Sequence, residues 1–384
     1  MRLHDLDGMV AIPSLAGESF MAAHSLATRV GLLPRQSERP VRCRTIDTGG
    51  AGPVSALLQA VRMVENEDCQ AVAVMAGDAV ASLDAAEFHA RADATCQDAE
   101  SRTLPSPCIP NGYDRVAQWH LERGTVSREQ LAMCSVLMSR QSARHPSALT
   151  QHPHTLADVL AAPRVAPATG LLECARRADG GAAIIVASSS FMGARLGCIK
   201  GCSTRHSQRH EATARGSFAA MGGVAVLGGG EASGPLYPPS TIDETIFSCA
   251  YAADAAFREA QCQPSDIDWW GLYDCFPICF VKAVEAVGLA ESNQGGLWVE
   301  AMYRKTMEVD CFSPSDFPVN THGGLMAFGA PWEAPAMYAI IEACEQLTGT
   351  AGSTRQVEGA RKALVYGNGG IFTHSSVAVL SSVP

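Results

Sequence analysis

The chain is predicted to be a layered α/β protein, and three observations carry that prediction. A strand–glycine loop–helix–strand order occurs in both halves, small residues (Ala, Gly) abound, and three glycine-bearing loops each follow an apolar segment. Those loops are Gly271–Phe276, Asn320–Pro331 and Tyr366–Ile371. Loops of this kind at strand ends are where an α/β protein assembles a site. Length alone favours about two or three domains.

Taken in order, Asp5–Ile12 and Val41–Asp47 read as short strands bounded by polar or proline-bearing turns. After Gly49-Gly50-Ala51-Gly52, apolar residues at Val54, Leu57, Leu58 and Val61 have the one-face spacing of a helix. Pro53 fits its first turn, where a missing N–H costs nothing. Gln70–Met75 is an apolar strand ending near Gly77. From Ser82 to about Cys174 the texture turns polar, with five histidines, several prolines and a helix over Ser127–Arg144, which reads as an inserted lid or substrate-binding excursion. Ala182–Ala187 restores a buried strand. The second unit runs helix Tyr251–Gln261, strand Ile267–Tyr273, helix Ile278–Val287, helix Ala334–Thr348, strand Ala363–Tyr366 and strand Val377–Leu380.

The bulk properties exclude several function classes. Net charge is −10 with no basic run, which argues against nucleic acid or an anionic membrane as partner. No stretch of about 18 apolar residues is present to span a bilayer. The 14 cysteines include no C-x-x-C pair, and the closest spacings are Cys198/Cys202 and Cys275/Cys279. Scattered through apolar segments, they read as buried free thiols rather than disulfides or zinc ligands. Gly228-Gly229-Gly230 lacks both the P-loop Lys-Ser/Thr and the dinucleotide spacing, and reads as a plain turn. His152 and His154 read as part of a polar loop rather than a metal site. The N-terminus lacks a charged-then-apolar signal pattern.

Several motifs resemble one family. Asn320-Thr321-His322-Gly323-Gly324, then Gly329-Ala330-Pro331, then Gly367-Asn368-Gly369-Gly370, and the Tyr273-Asp274-Cys275-Phe276 loop are similar to thiolase fingerprints. Ile109-Pro110-Asn111 through Arg115–His120 resembles the loop domain of the sterol-carrier-protein type, and Arg177–Ala183 the return from it. The Tyr-Asp-Cys-Phe variant most resembles the trypanosomatid thiolase-like proteins. The resemblance implies a thiolase fold: an N-terminal half over 1–84 and 175–193, a loop domain over 85–174 and a C-terminal half over 194–384. It gives two similar βαβ-type halves in an α/β/α layering, with the family's first strand and helix missing before Met1. It also implies a homodimer, a mitochondrial setting, a role in lipid or sterol precursor metabolism, and a coenzyme A thioester as substrate with no separate cofactor or metal.

The departures from the family shape the expected chemistry. The position of the family's nucleophilic cysteine matches Gly50, that of its activating Gly-His-Pro histidine matches Ala330, and that of its C-terminal cysteine falls near Tyr366 or Gly367. Without a nucleophile an acyl-enzyme is not expected. Backbone N–H groups at Gly50 and Gly369 remain candidate oxyanion donors, able to hold the enolate left when malonyl-CoA loses carbon dioxide. Cys275 is the candidate proton donor, Tyr273 and His322 candidate hydrogen-bond donors, and Asp274 a structural acceptor that orients its loop. A non-catalytic acyl-CoA-binding or scaffold protein and an acyltransferase subunit are the alternative readings.

Overall fold

The computed structural model describes residues 2–17, 19–34, 39–96, 104–196, 218–220, 223–236, 241–307 and 312–383. In chain order the strands are β1 (Gly8–Ala11), β2 (Arg42–Thr45), β3 (Ala71–Ala79), β4 (Asp179–Ala187), β5 (Phe218–Ala220), β6 (Val224–Ser233), β7 (Trp269–Gly271), β8 (Lys362–Gly369) and β9 (His374–Ser382). The helices are α1 (Ala22–Arg29), α2 (Gly52–Asn66), α3 (Ala85–Ala94), α4 (Cys108–Glu122), α5 (Arg128–Ser142), α6 (Leu156–Ala161), α7 (Ser189–Leu196), α8 (Cys249–Ala260), α9 (Pro277–Ala286), α10 (Gly295–Met307) and α11 (Pro335–Thr348).

The strands form one ladder in the order β2-β1-β3-β4-β5-β6-β9-β8-β7. In the first half β1 pairs in parallel with both β2 and β3, and β4 closes it antiparallel to β3. In the second, β7 and β8 are parallel while β9 runs antiparallel between β8 and β6. The short β5 joins the halves.

Helix α2 lies at the centre. It packs on β1, β3 and β4 from one half, on β6, β8 and β9 from the other, and on α11 beside it. Hence every residue of its first two turns, Gly52 to Leu58, is buried, not only the face marked by Val54, Leu57 and Leu58. The two halves therefore share a middle helical layer, the α/β layering expected from the sequence. Buried Asp7 fixes the start of β3 by accepting the N–H groups of Gln70 and Ala71. Helices α3 to α6 fill the stretch between β3 and β4. Asp114 on α4 ties down Ala168 and Thr169, and Arg128 on α5 pairs with buried Glu173.

Several expectations need correcting. Gly228–Gly230 is not a turn but the middle of β6, where the missing side chains let α8 approach. A Cβ at Gly228 would lie 2.5 Å from the Ala260 nitrogen, and one at Gly230 2.7 Å from the Ala256 nitrogen. Strand β8 continues through Gly367 to Gly369 and β9 begins at His374, so the last glycine-rich stretch is largely strand with a tight turn. Helices α1, α7 and α10 were not anticipated. The described cysteines are free thiols, and Cys198 and Cys202 lie outside the described residues. Among the described residues no helix is long and apolar enough to cross a membrane, and no group of three or more His, Cys, Asp or Glu is arranged to hold a metal ion.

Candidate functional site

Three chain segments meet at the N-terminal end of α2. The first is Thr48–Ala51, where Gly49 adopts a φ of 59°, a left-handed conformation open to glycine at little cost. The second is the end of β8 and its turn. A Cβ at Gly49 would sit 2.8 Å from the Gly370 nitrogen, and one at Gly369 would overlap the Thr48 carbonyl, so the two backbones touch. The third is the loop after β7, which delivers Tyr273, Asp274 and Cys275.

Side chains on either side hold that third loop in place. Asn320, in a left-handed conformation, accepts the Leu272 N–H through Oδ1 at 2.8 Å and donates through Nδ2 to the Leu272 carbonyl at 2.7 Å. The Asn-Thr-His-Gly-Gly motif thus clamps the backbone just before Tyr273. Thr321 anchors the motif from below: it donates to buried Glu342 at 2.6 Å and accepts the Trp269 indole N–H at 2.9 Å. Asp274 is fully buried and accepts the N–H of Leu325 at 2.7 Å and of Met326 at 3.3 Å. It caps the π-helical turn Gly324–Phe328, the structural role expected for it. Burial lifts its carboxyl to about 7 against the pull of those N–H donors.

Tyr273 fills the space a side chain at position 50 would need. A Cβ on Gly50 would overlap the Tyr273 hydroxyl and lie 2.6 Å from the Asn368 carbonyl oxygen. Behind it, Tyr113 of α4 donates to the Gly370 carbonyl at 2.5 Å and accepts from Asn368 Nδ2 at 2.7 Å. The Tyr113 ring stacks on Phe276 with centroids 4.7 Å apart. The Cys275 thiol bears on both Tyr113 and Cys279 and, after burial, raises the titration of each. Burial, and then the neighbouring thiols Cys275 and Cys279, raise both Tyr113 and Tyr273 well above the usual phenol range. Both phenols are therefore neutral donors at physiological pH.

Of the sequence-predicted residues, Gly50, Gly369, Tyr273 and Cys275 thus come together. His322 joins them more loosely: it shares with Tyr273 and Asp274 a small cavity of about 10 Å³, room for about one water. Its ring stands edge-on to Phe328, its Nδ1 has no hydrogen-bond partner, and burial lowers its pKa to about 3, leaving a neutral imidazole. Tyr113 was missed from the sequence, where nothing links the insertion to the turn at Gly370. Glu333 was missed as well, and its carboxyl bears electrostatically on Tyr273.

Comparison with known proteins agrees with this architecture. Residues 239–382 match the model of the family described as "Thiolase C-terminal domain-like". An acetyl-CoA acetyltransferase of Methanothermobacter thermautotrophicus is 31% identical over 75% of this chain and 67% of its own length. Sterol carrier protein 2 of Bos taurus is 27% identical over 69% of this chain, a match that spans only 44% of that protein. Among solved structures, the one described as "Ltp2-ChsH2(DUF35) aldolase" superimposes with a TM-score of 0.73 at 19% identity, covering 100% of this chain and 88% of the other. The chain belongs to the thiolase family and has its fold.

Proposed function

We propose that this thiolase-family protein binds a short 3-oxoacyl- or malonyl-CoA and stabilises its enolate without forming an acyl-enzyme. The observation that carries the reading is the Tyr273 hydroxyl in the space where a side chain at residue 50 would project. A glycine there offers no nucleophile, and a phenol in its place offers a hydrogen bond to a thioester oxygen.

In this reading malonyl-CoA is decarboxylated slowly. The bond between the α-carbon and the carboxylate breaks, carbon dioxide leaves, and the electron pair remains as an enolate. Backbone N–H groups at Gly50 and Gly369, with Tyr273 and neutral His322, stabilise the enolate oxygen. The Cys275 proton moves to the α-carbon, and solvent reprotonates the thiolate. The cavity shared by Tyr273 and His322 holds only about 10 Å³, so side chains around it must move when the ligand enters. A homodimer is proposed as well, which sedimentation would test.

The test is purified protein with malonyl-CoA, followed by acetyl-CoA release. Slow release is expected, reduced about a hundredfold in Cys275→Ala. A Cys275→Ala protein as active as the wild type would remove the proposed acid. Cleavage of a 3-hydroxyacyl-CoA passes through the same enolate, so that thioester belongs in the same assay, given the aldolase among the fold's neighbours. The closed packing favours one second reading, a non-catalytic acyl-CoA-binding protein. Thermal stabilisation by acyl-CoA with no turnover of any thioester would support it.

A further inference from the structure

The turn after Ala330 carries a carboxyl group that the chemistry above leaves unused. Trp332 adopts a left-handed φ of 50°, bending the chain between Pro331 and α11. Glu333 follows it. The residue is partly exposed, yet its Oε2 is sealed from solvent with no hydrogen-bond partner, the one carboxylate oxygen so placed among the described residues. Its Oε1 accepts the Trp332 indole N–H at 3.2 Å.

The charged and titratable groups around Glu333 come from three other elements. Asp47 stands in the loop before Gly49, Asp78 near the end of β3, and Tyr273 after β7. Asp78 is already engaged, accepting from Ser14 Oγ and from the N–H groups of Leu15, Ala16 and Ala79. Among the described residues no cation acts on the Glu333 carboxyl. Burial, followed by the charge of Asp47, pushes its carboxyl up to about 8, so it is mostly a neutral acid at pH 7. A buried neutral carboxyl is a hydrogen-bond donor that lacks an acceptor.

Building on the acyl-CoA reading above, we propose that Glu333 is a specificity residue. Its carboxylic acid donates a hydrogen bond to an oxygen on the third carbon of the acyl group, selecting 3-oxoacyl and malonyl thioesters over saturated ones. A thioester oxygen held near Gly50 and Tyr273 directs the acyl chain toward the neighbours of Tyr273, of which Glu333 is one. Saturated chains leave the acid unpaired, and a buried polar group without its partner is what makes such a site discriminate.

The experiment compares binding of acetoacetyl-CoA and butyryl-CoA, which have the same chain length and differ in the third-carbon oxygen. At about pH 6.5 the wild type is expected to bind acetoacetyl-CoA about tenfold more tightly, and at about pH 9 to lose that preference as Glu333 ionises. Glu333→Gln is expected to keep the preference at both pH values, because its amide donates regardless. Glu333→Ala is expected to lose it at both. Equal binding of the two thioesters by the wild type, or a preference that survives in Glu333→Ala, would overturn the assignment while leaving acyl-CoA binding intact. Binding of neither thioester would sink the acyl-CoA reading, and this assignment with it.

Discussion

Gly228–Gly230 in β6 and Gly49–Gly50 before α2 are both glycine runs pressed against neighbours, but what stands in the place of their missing side chains differs. Along β6 that space is taken by the backbone of α8 and the Leu58 side chain. The gain there is packing density, since an apolar helix can settle on a sheet only as closely as the intervening side chains permit. At Gly50 the space is taken by a phenol hydroxyl and a strand carbonyl, and a second glycine-rich turn closes in from β8. Close approach is the same in both regions; only the second brings polar, hydrogen-bonding groups to one point. A glycine run becomes a site according to what it admits.

The comparison can be broken most forcefully in β6. Gly230→Ala puts a Cβ onto the Ala252 carbonyl, a backbone atom with nowhere to go, and should cost about 3 kcal/mol, read as a lowered urea midpoint. Gly50→Ala should cost somewhat less, about 2 kcal/mol, because the overlapping Tyr273 hydroxyl is the end of a side chain. Adding Tyr273→Phe removes the hydroxyl overlap and leaves the ring carbon 2.4 Å away to shift, so it should recover only about 1 kcal/mol of that loss, whereas the same substitution should do nothing for Gly230→Ala. If Tyr273→Phe rescues neither or both, the two regions do not differ in the way described.

A smaller effect lies in the pH dependence of stability. The folded carboxyls of Glu333 and Asp274, raised to about 8 and about 7, hold protons that the unfolded chain releases. Their contribution is complete below the unfolded values and fades as pH rises through the folded ones. His322, lowered to about 3, acts in the opposite sense: its contribution is present above the unfolded value and is lost as pH falls toward 3. The slope of the urea midpoint between about pH 5 and pH 8 should therefore be less negative for Glu333→Gln than for the wild type, the remainder being the balance of Asp274 against His322, His120 and His145. An unchanged slope would mean that Glu333 is ionised in the native protein.

Much of the fold was legible because periodicity and punctuation agreed. Pro53, the glycines before it and the spacing of Val54, Leu57 and Leu58 marked the start of α2 within a residue or so. What they could not convey was its place between the two halves, which buries the opposite face too. Strand β6 was missed because its glycines satisfy α8, a partner that no local window contains. Helix α10 opens on Gly295-Gly296, which by themselves signal a turn. At the site, the loop residues Tyr273, Asp274 and Cys275 stood out as a motif. Tyr113 and Glu333 did not, because each matters through a contact made only after long-range folding.

The most direct test of the account is intact-protein mass spectrometry after incubation with malonyl-CoA, with acetyl-CoA release followed in parallel. The account expects acetyl-CoA to accumulate while the protein mass stays unchanged. An acyl group covalently attached to the protein during turnover would contradict it.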